Sequence, residues 1–264
     1  MGKIKCRAQK TPQPIQARLS PPVKYWDEDL PDTAEEQLYP PQLIRVNEIN
    51  DIWMEIPRFE NVKWGGLWFI SLIPLIPLIG FTAFLFAPDV IFNPSLLLMS
   101  ISGIFIFLSF LIYCFRFVLY APRGTPIRFN RKRQKVYIYE YQQHWNPWRR
   151  WFKGVKVFDW ADIHAERVQM AGHADWGHRI YCAVCKPGTY EVVDRFILTW
   201  SVGSIYEAYG LWSHCCHYME AKPVPKNPLY TDIPRSWTPF NTIRWPEDID
   251  QESRTAPHIK TITL

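Results

Sequence analysis

The sequence predicts an α+β membrane protein: a two-helix transmembrane hairpin followed by an antiparallel β domain that closes on a C-terminal helix. Three observations predict it. An apolar block fills residues 64–120, strict two-residue alternation begins beyond Pro126, and an amphipathic helical pattern starts at Ser204. The flanks, 1–63 and 222–264, are rich in proline and charge and read as cytosolic Pro-rich segments.

The first apolar run, 65–87, reads GGLWFISLIPLIPLIGFTAFLFA without a charge; the second, 96–120, starts LLLMSISGIFIFLSFLIYCF and passes Arg116 into FVLY. At 1.5 Å per residue each reaches about 30 Å, the thickness of a bilayer's hydrocarbon core. The loop between them, PDVIFNPS at 88–95, is short enough to force antiparallel packing. Pro74 and Pro77 lie inside the first run. A proline in a soluble helix interior costs about 3 kcal/mol, but in a membrane the freed carbonyls find partners on a neighbouring helix or hydroxyl. The pair is therefore expected to kink the first span, with Ser71 serving one of the carbonyls freed at Ile70 and Ile73.

Orientation follows from the flanking cations. Arg58 and Lys63 precede the block, Arg116, Arg123, Arg128, Arg131, Lys132, Arg133 and Lys135 end or follow it, and the loop carries only Asp89. Basic residues stay in the cytoplasm, so both termini are expected there. Trp64, Trp68, Tyr113 and Tyr120 suit an aromatic belt on that side. The formal charge of +5 is local: residues 123–156 hold ten Lys and Arg against Glu140 alone. Directly after an apolar block, such a stretch reads as a topology signal and not as a nucleic-acid surface. The first 50 residues lack an apolar signal-peptide core. The cysteines are scattered, one of them (Cys114) within the apolar block, which suits reduced thiols rather than a disulfide framework.

The β domain is expected over 121–221. IRFNRKRQKVYIYEY alternates around an RKRQ turn, a hairpin signature. Further strands are expected at 155–160, 163–170, 179–186 and 190–198, separated by Gly, Pro and Asp breakers. The helix that follows has Ser204 as its cap and Glu207 three residues on, with Tyr206, Tyr209, Trp212 and Cys216 on one face.

This order, five or six antiparallel strands and then one helix, resembles a pleckstrin-homology-like barrel, and DWADI at 159–163 is similar to a strand entry in bacterial versions of that fold. The whole layout resembles an uncharacterised family of two-span bacterial inner-membrane proteins associated with type VI secretion effectors. PIRFNRKRQKVY at 126–137 and VFDWADIHAE at 157–166 carry that likeness. The resemblance implies a protein partner, a secreted effector, in an immunity or loading role, with a homo-oligomer left open.

The basic–Trp segment HWNPWRRWFKGVK, 144–156, is the most unusual soluble feature. Trp145, Trp148, Arg149, Arg150, Trp151 and Lys153 are the candidate contacts to lipid or a partner, since indoles and cations together suit an anionic leaflet. The alternative is a loop whose tryptophans close one end of the β domain. Cys182, Cys185, His214 and His217 are the weak zinc candidates, because residues three apart in a strand face opposite ways. His164, Glu166, His173, Asp175 and His178 could suggest acid–base work, but no nucleophile is tied to them by spacing. No phosphate loop, G-x-S-x-G or H-E-x-x-H is present, so no enzyme, cofactor or resident metal is expected.

Overall fold

The computed structural model describes residues 16–58, 69–122, 124–172, 176–232 and 243–257. Three strands precede the apolar block: β1 (Trp26–Asp29), β2 (Glu48–Ile49) and β3 (Trp53–Arg58). The block itself holds α1 (Leu75–Leu85), the short α2 (Pro88–Ile91) and α3 (Pro94–Tyr120). Then come β4 (Thr125–Asn130), β5 (Lys135–Gln142), β6 (Phe152–Asp159), β7 (Ile163–Ala171), β8 (Trp176–Cys185) and β9 (Val192–Val202). The helices α4 (Ile205–Met219) and α5 (Glu247–Arg254) follow.

The strands form two antiparallel sheets, in the orders β1-β7-β8-β9 and β2-β3-β4-β5-β6. Alternation explains their inner faces: Met54, Ile56, Ile127, Phe129, Val136 and Ile138 of one sheet share a core with Ala165, Ile180, Cys182, Phe196 and Leu198 of the other. Helix α4 completes that core with Leu211, Trp212, Cys215 and Cys216. The Ser204 hydroxyl accepts from the Tyr206 N–H at 3.3 Å and so caps the helix as expected. Glu207 turns elsewhere and accepts from the Tyr230 hydroxyl at 3.1 Å.

The segment ahead of the apolar block is part of this body. β1 pairs with β7, and β3 pairs with β4 through six registered residues from Trp53↔Asn130 to Arg58↔Thr125. Pro57 faces Pro126 in that register, so neither position asks the other for an N–H. Trp212 Nε1 donates to the Pro31 carbonyl at 2.8 Å and the Tyr218 hydroxyl to Asn50 at 2.8 Å, which ties the early chain to α4.

Two expectations are overturned. The β domain is not a closed pleckstrin-homology-like barrel, because it divides into two open sheets with edge strands at β1, β9, β2 and β6. Nor is the apolar block a two-helix transmembrane hairpin. Among the described residues, α3 alone is long and apolar enough to cross a membrane. The earlier helical stretch, described from Phe69 to Leu85, is shorter and is interrupted by a turn. Gly65 to Trp68, Trp64 and Lys63 lie outside the described residues.

The prolines account for part of that. They do not kink a continuous helix; they end one and start another. A turn at Ile73 and Pro74 breaks the stretch, Pro74 flanks α1, and Pro77 falls in its first turn, where no intrahelical N–H bond is lost. Shorter bonds take both freed carbonyls: Ile73 N–H donates to Ile70 at 3.2 Å and Ile76 N–H to Ile73 at 3.4 Å. α1 packs on α3, where Phe81 stacks on Phe107 with ring centres 5.8 Å apart. At the start of α3, the Asn93 side chain accepts from the Ser95 and Leu96 N–H groups, and Pro94 takes the first helical position.

Candidate membrane-facing site

The basic–Trp loop joins β5 to β6 and is built from local turns. His144 Nδ1 accepts from the Asn146 N–H at 3.0 Å, and Asn146 Oδ1 accepts from the Trp148 N–H at 2.8 Å. Asparagine ahead of proline favours such a turn, which folds the loop back beside β6.

The loop lies along α3. Trp148 stacks on Phe105 with ring centres 6.4 Å apart and planes 14° apart, while Tyr113 meets Trp145 at 6.5 Å and Trp151 at 5.7 Å. Arg116, four residues from the end of α3, fastens it: its Nη1 donates to the Pro147 carbonyl and, at 2.9 Å, to Arg149. The same guanidinium sits 4.8 Å above the Trp151 ring. Between helix and loop opens a cleft of about 950 Å³ whose lining includes Arg116, Tyr120, Trp148, Arg150, Trp151 and Lys153.

The candidate residues thus divide. Trp151 is buried, whereas Trp145 is 93% exposed and Trp148 57% exposed. Arg149, Arg150 and Lys153 are exposed as well. Trp151 Nε1 is buried without a hydrogen-bond partner, on the cleft wall. Tyr141 packs edge-on against Trp151 at 6.0 Å, and burial pushes its hydroxyl pKa up. Arg123 lies outside the described residues. The result is an aromatic and cationic strip along one side of an apolar helix, from Phe105 to Arg116.

The other candidates are spread through the fold. Cys182 belongs to the main core, while Cys185 packs with Leu19 and Ala183 on the opposite side of β8, as strand geometry requires. Burial raises the thiol pKa of both. His214 pairs through Nε2 with the Pro225 carbonyl at 2.9 Å, and His217 through Nδ1 with Ser213 at 2.8 Å. Among the described residues, no group of three or more His, Cys, Asp or Glu could hold a metal.

The acid–base candidates are likewise taken up in pairs. His164 Nδ1 sits 2.6 Å from Asp32, and His178 Nδ1 accepts from Arg167 at 2.8 Å. Burial, and then the Arg167 charge, lowers the His178 pKa. Glu166 is fully buried, where it accepts from Arg195 at 2.5 Å. His173 and Asp175 lie outside the described residues.

Sequence reasoning missed a second arrangement, on the outer face of the five-stranded sheet. Arg128, 1% exposed, donates to Glu55 at 2.5 Å, and to Asp250 at 2.6 Å and Ser253 at 2.8 Å on α5. It lies between two indoles, 5.0 Å from the Trp53 ring and 4.3 Å from the Trp245 ring. The signal was present in the pattern: Arg128 and Asn130 alternate with Ile127 and Phe129, and Pro246 precedes a run of acids that suits a helix start.

No curated protein and no solved structure matches the chain. Residues 104–242, from the middle of α3 through the β domain and α4, match a family described as a family of unknown function, DUF6708. That match spans more than half of the chain, and the protein belongs to the DUF6708 family.

Proposed function

We propose that this is a membrane-tethered interaction protein. α3 embeds in the bacterial inner membrane, the sheets and both termini lie on the cytoplasmic side, and the basic–Trp loop rests on the anionic leaflet. From there the cytosolic domain engages a protein partner. The observation that carries the reading is the packing of the loop along α3 through Trp148 on Phe105 and Arg116 over Trp151. A loop that shares the surface of an apolar helix shares its surroundings, and Arg149, Arg150 and Lys153 would each gain about 1 kcal/mol near anionic lipid. The likeness to proteins associated with type VI secretion supports a secreted effector as the partner, met in an immunity or loading role.

The test uses the full chain in vesicles. A Trp145→Cys variant carrying an environment-sensitive fluorophore should be quenched by brominated lipid in anionic vesicles. Arg149→Glu with Arg150→Glu should weaken that quenching severalfold, and so should a rise in salt. A label at exposed Lys222 should stay unquenched. No quenching at position 145, with α3 inserted, would overturn the reading.

A further inference from the structure

Helix α5 is held almost entirely by polar contacts. Of its eight residues only Ser253 is buried. It carries Glu247, Asp248, Asp250 and Glu252 against a single cation, Arg254. Besides Arg128, the sheet meets it with Tyr137, whose hydroxyl donates to Glu252 at 2.9 Å, and with Lys135, 3.6 Å from the same carboxylate. Asn130 Nδ2 donates to the carbonyls of Ser253 at 3.0 Å and Thr255 at 2.9 Å, while Arg133 Nε donates to Thr255 at 2.9 Å. Upstream, Trp245 packs edge-on against Tyr139 at 5.6 Å. These contacts form a cationic, aromatic groove that reads an acidic helical turn by charge, by one hydroxyl and by main-chain carbonyls.

An isolated helix of eight residues does not persist in water, so α5 folds only as it docks. Beneath α5 and Trp245 the rings of Trp53, Tyr137 and Tyr139 are buried, so lifting the segment away opens an aromatic surface to another occupant and leaves Arg128 paired with Glu55. The ionic part of this contact, Arg128 with Asp250 and Lys135 with Glu252, is weakened by salt.

We propose that the groove of Trp53, Arg128, Asn130, Arg133, Lys135 and Tyr137 is a docking site for an acidic helical segment of a protein partner, and that α5 occupies it in the free protein as an internal stand-in. The occupant is defined by its chemistry: an aromatic residue, a run of carboxylates, and an acid three residues ahead of a serine, as Asp250 is ahead of Ser253. This deepens the proposed partner-binding role, and its test needs no membrane, so its failure would leave the membrane reading untouched.

The probe is a labelled peptide of residues 243–257, offered to the full chain in detergent. An Asp250→Lys, Glu252→Lys chain, whose own α5 is repelled, should bind the peptide at least tenfold more tightly than the unaltered chain. Ser253→Trp, which blocks seating by bulk instead of charge, should behave alike. Adding Lys135→Glu and Arg133→Glu to either should cost at least tenfold, as should raised salt or a peptide carrying Asp250→Lys. Amides of α5 in the unaltered chain should exchange hydrogen much faster than those of β4. Equal binding by altered and unaltered chains, binding by neither, or α5 amides as protected as β4 would overturn the proposal. So would peptide binding only through tail exchange within a dimer, read as doubled mass in light scattering.

Discussion

Arg58 and Thr125 face each other as the last register pair of β3 and β4, and Arg58 Nε donates to the Thr125 carbonyl at 2.9 Å. The chain therefore leaves the five-stranded sheet at one point and re-enters it beside that point. The two ends of the apolar segment are thus neighbours in one sheet, and the proposed cytoplasmic placement of that sheet puts both on the same side of the membrane.

Tags at the two termini should consequently report the same compartment. A cysteine introduced by Gln134→Cys, in the turn between β4 and β5, should resist an impermeant reagent in intact cells and label after lysis. Labelling before lysis would refute the proposed cytoplasmic placement.

The Arg58 guanidinium also reaches the Tyr139 carbonyl at 2.6 Å and the Ile197 carbonyl at 3.2 Å, so one side chain joins both sheets. Arg58→Met should leave those acceptors short of donors and destabilise the domain by about 2–4 kcal/mol. Arg58→Lys, with fewer donors in a less extended head, should fall between. Denaturant midpoints of the solubilised protein measure both.

Gly103 of α3 lies against Phe81 of α1: a Cβ there would lie 2.7 Å from the Phe81 ring. Gly103→Ile should therefore cost about 1–3 kcal/mol by overpacking, and Phe81→Ala should recover part of that loss in the double variant. Thermal midpoints of the four proteins in detergent give the coupling. Simple additivity would mean that the two helices do not pack in this way.

Stability should decline as pH falls below about 6.5. Burial lowers the pKa of both His178 and His214, with Arg167 adding to the effect at His178. The unfolded chain then binds more protons than the folded one between the ordinary and the lowered values, so acid favours unfolding there. His178→Gln should flatten that slope in thermal midpoints taken from pH 5 to 8. Asp32 acts lower on the scale. Burial would raise its pKa, but the hydrogen bond and charge of His164 and the charge of Arg18 hold it below 3.8. Its contribution is present above that value and is lost as pH falls through the lowered one.

Legibility in the sequence followed periodicity. The β4–β5 hairpin, β6 to β9 and α4 were readable because alternate or helically spaced apolar residues each cover one face. β1 and β3 were not. WDED is short and acidic, and WMEIPR carries a proline that argues against a paired strand until its partner is seen to be another proline. α5 escaped because Ile249 is its only apolar residue; its helicity depends on the groove beneath it. The composition of the candidate membrane site was plain in HWNPWRRW, but its seat along α3 depends on contacts far apart in sequence, such as Trp148 with Phe105. The limits of the first apolar limb were hidden for another reason. Length and hydropathy count residues, and they do not register that a proline has reset the helix.

The pairing of β3 with β4 also sets an order of events during synthesis. On a ribosome β3 emerges with only the two-residue β2 to pair with and must wait for the whole apolar segment before β4 exists, a delay of seconds at about 5–20 residues per second. β1 waits longer still, for β7. Through that interval β1 and the free edge of β3 stand beside a long apolar segment, each a hazard for wrong pairing. The prolines, acids and shortness of these early strands keep them unsticky until the downstream chain arrives. The domain can be finished only after the whole apolar segment has been made, so nascent chains stalled before residue 125 should remain sensitive to protease across residues 16–58, which the finished protein protects.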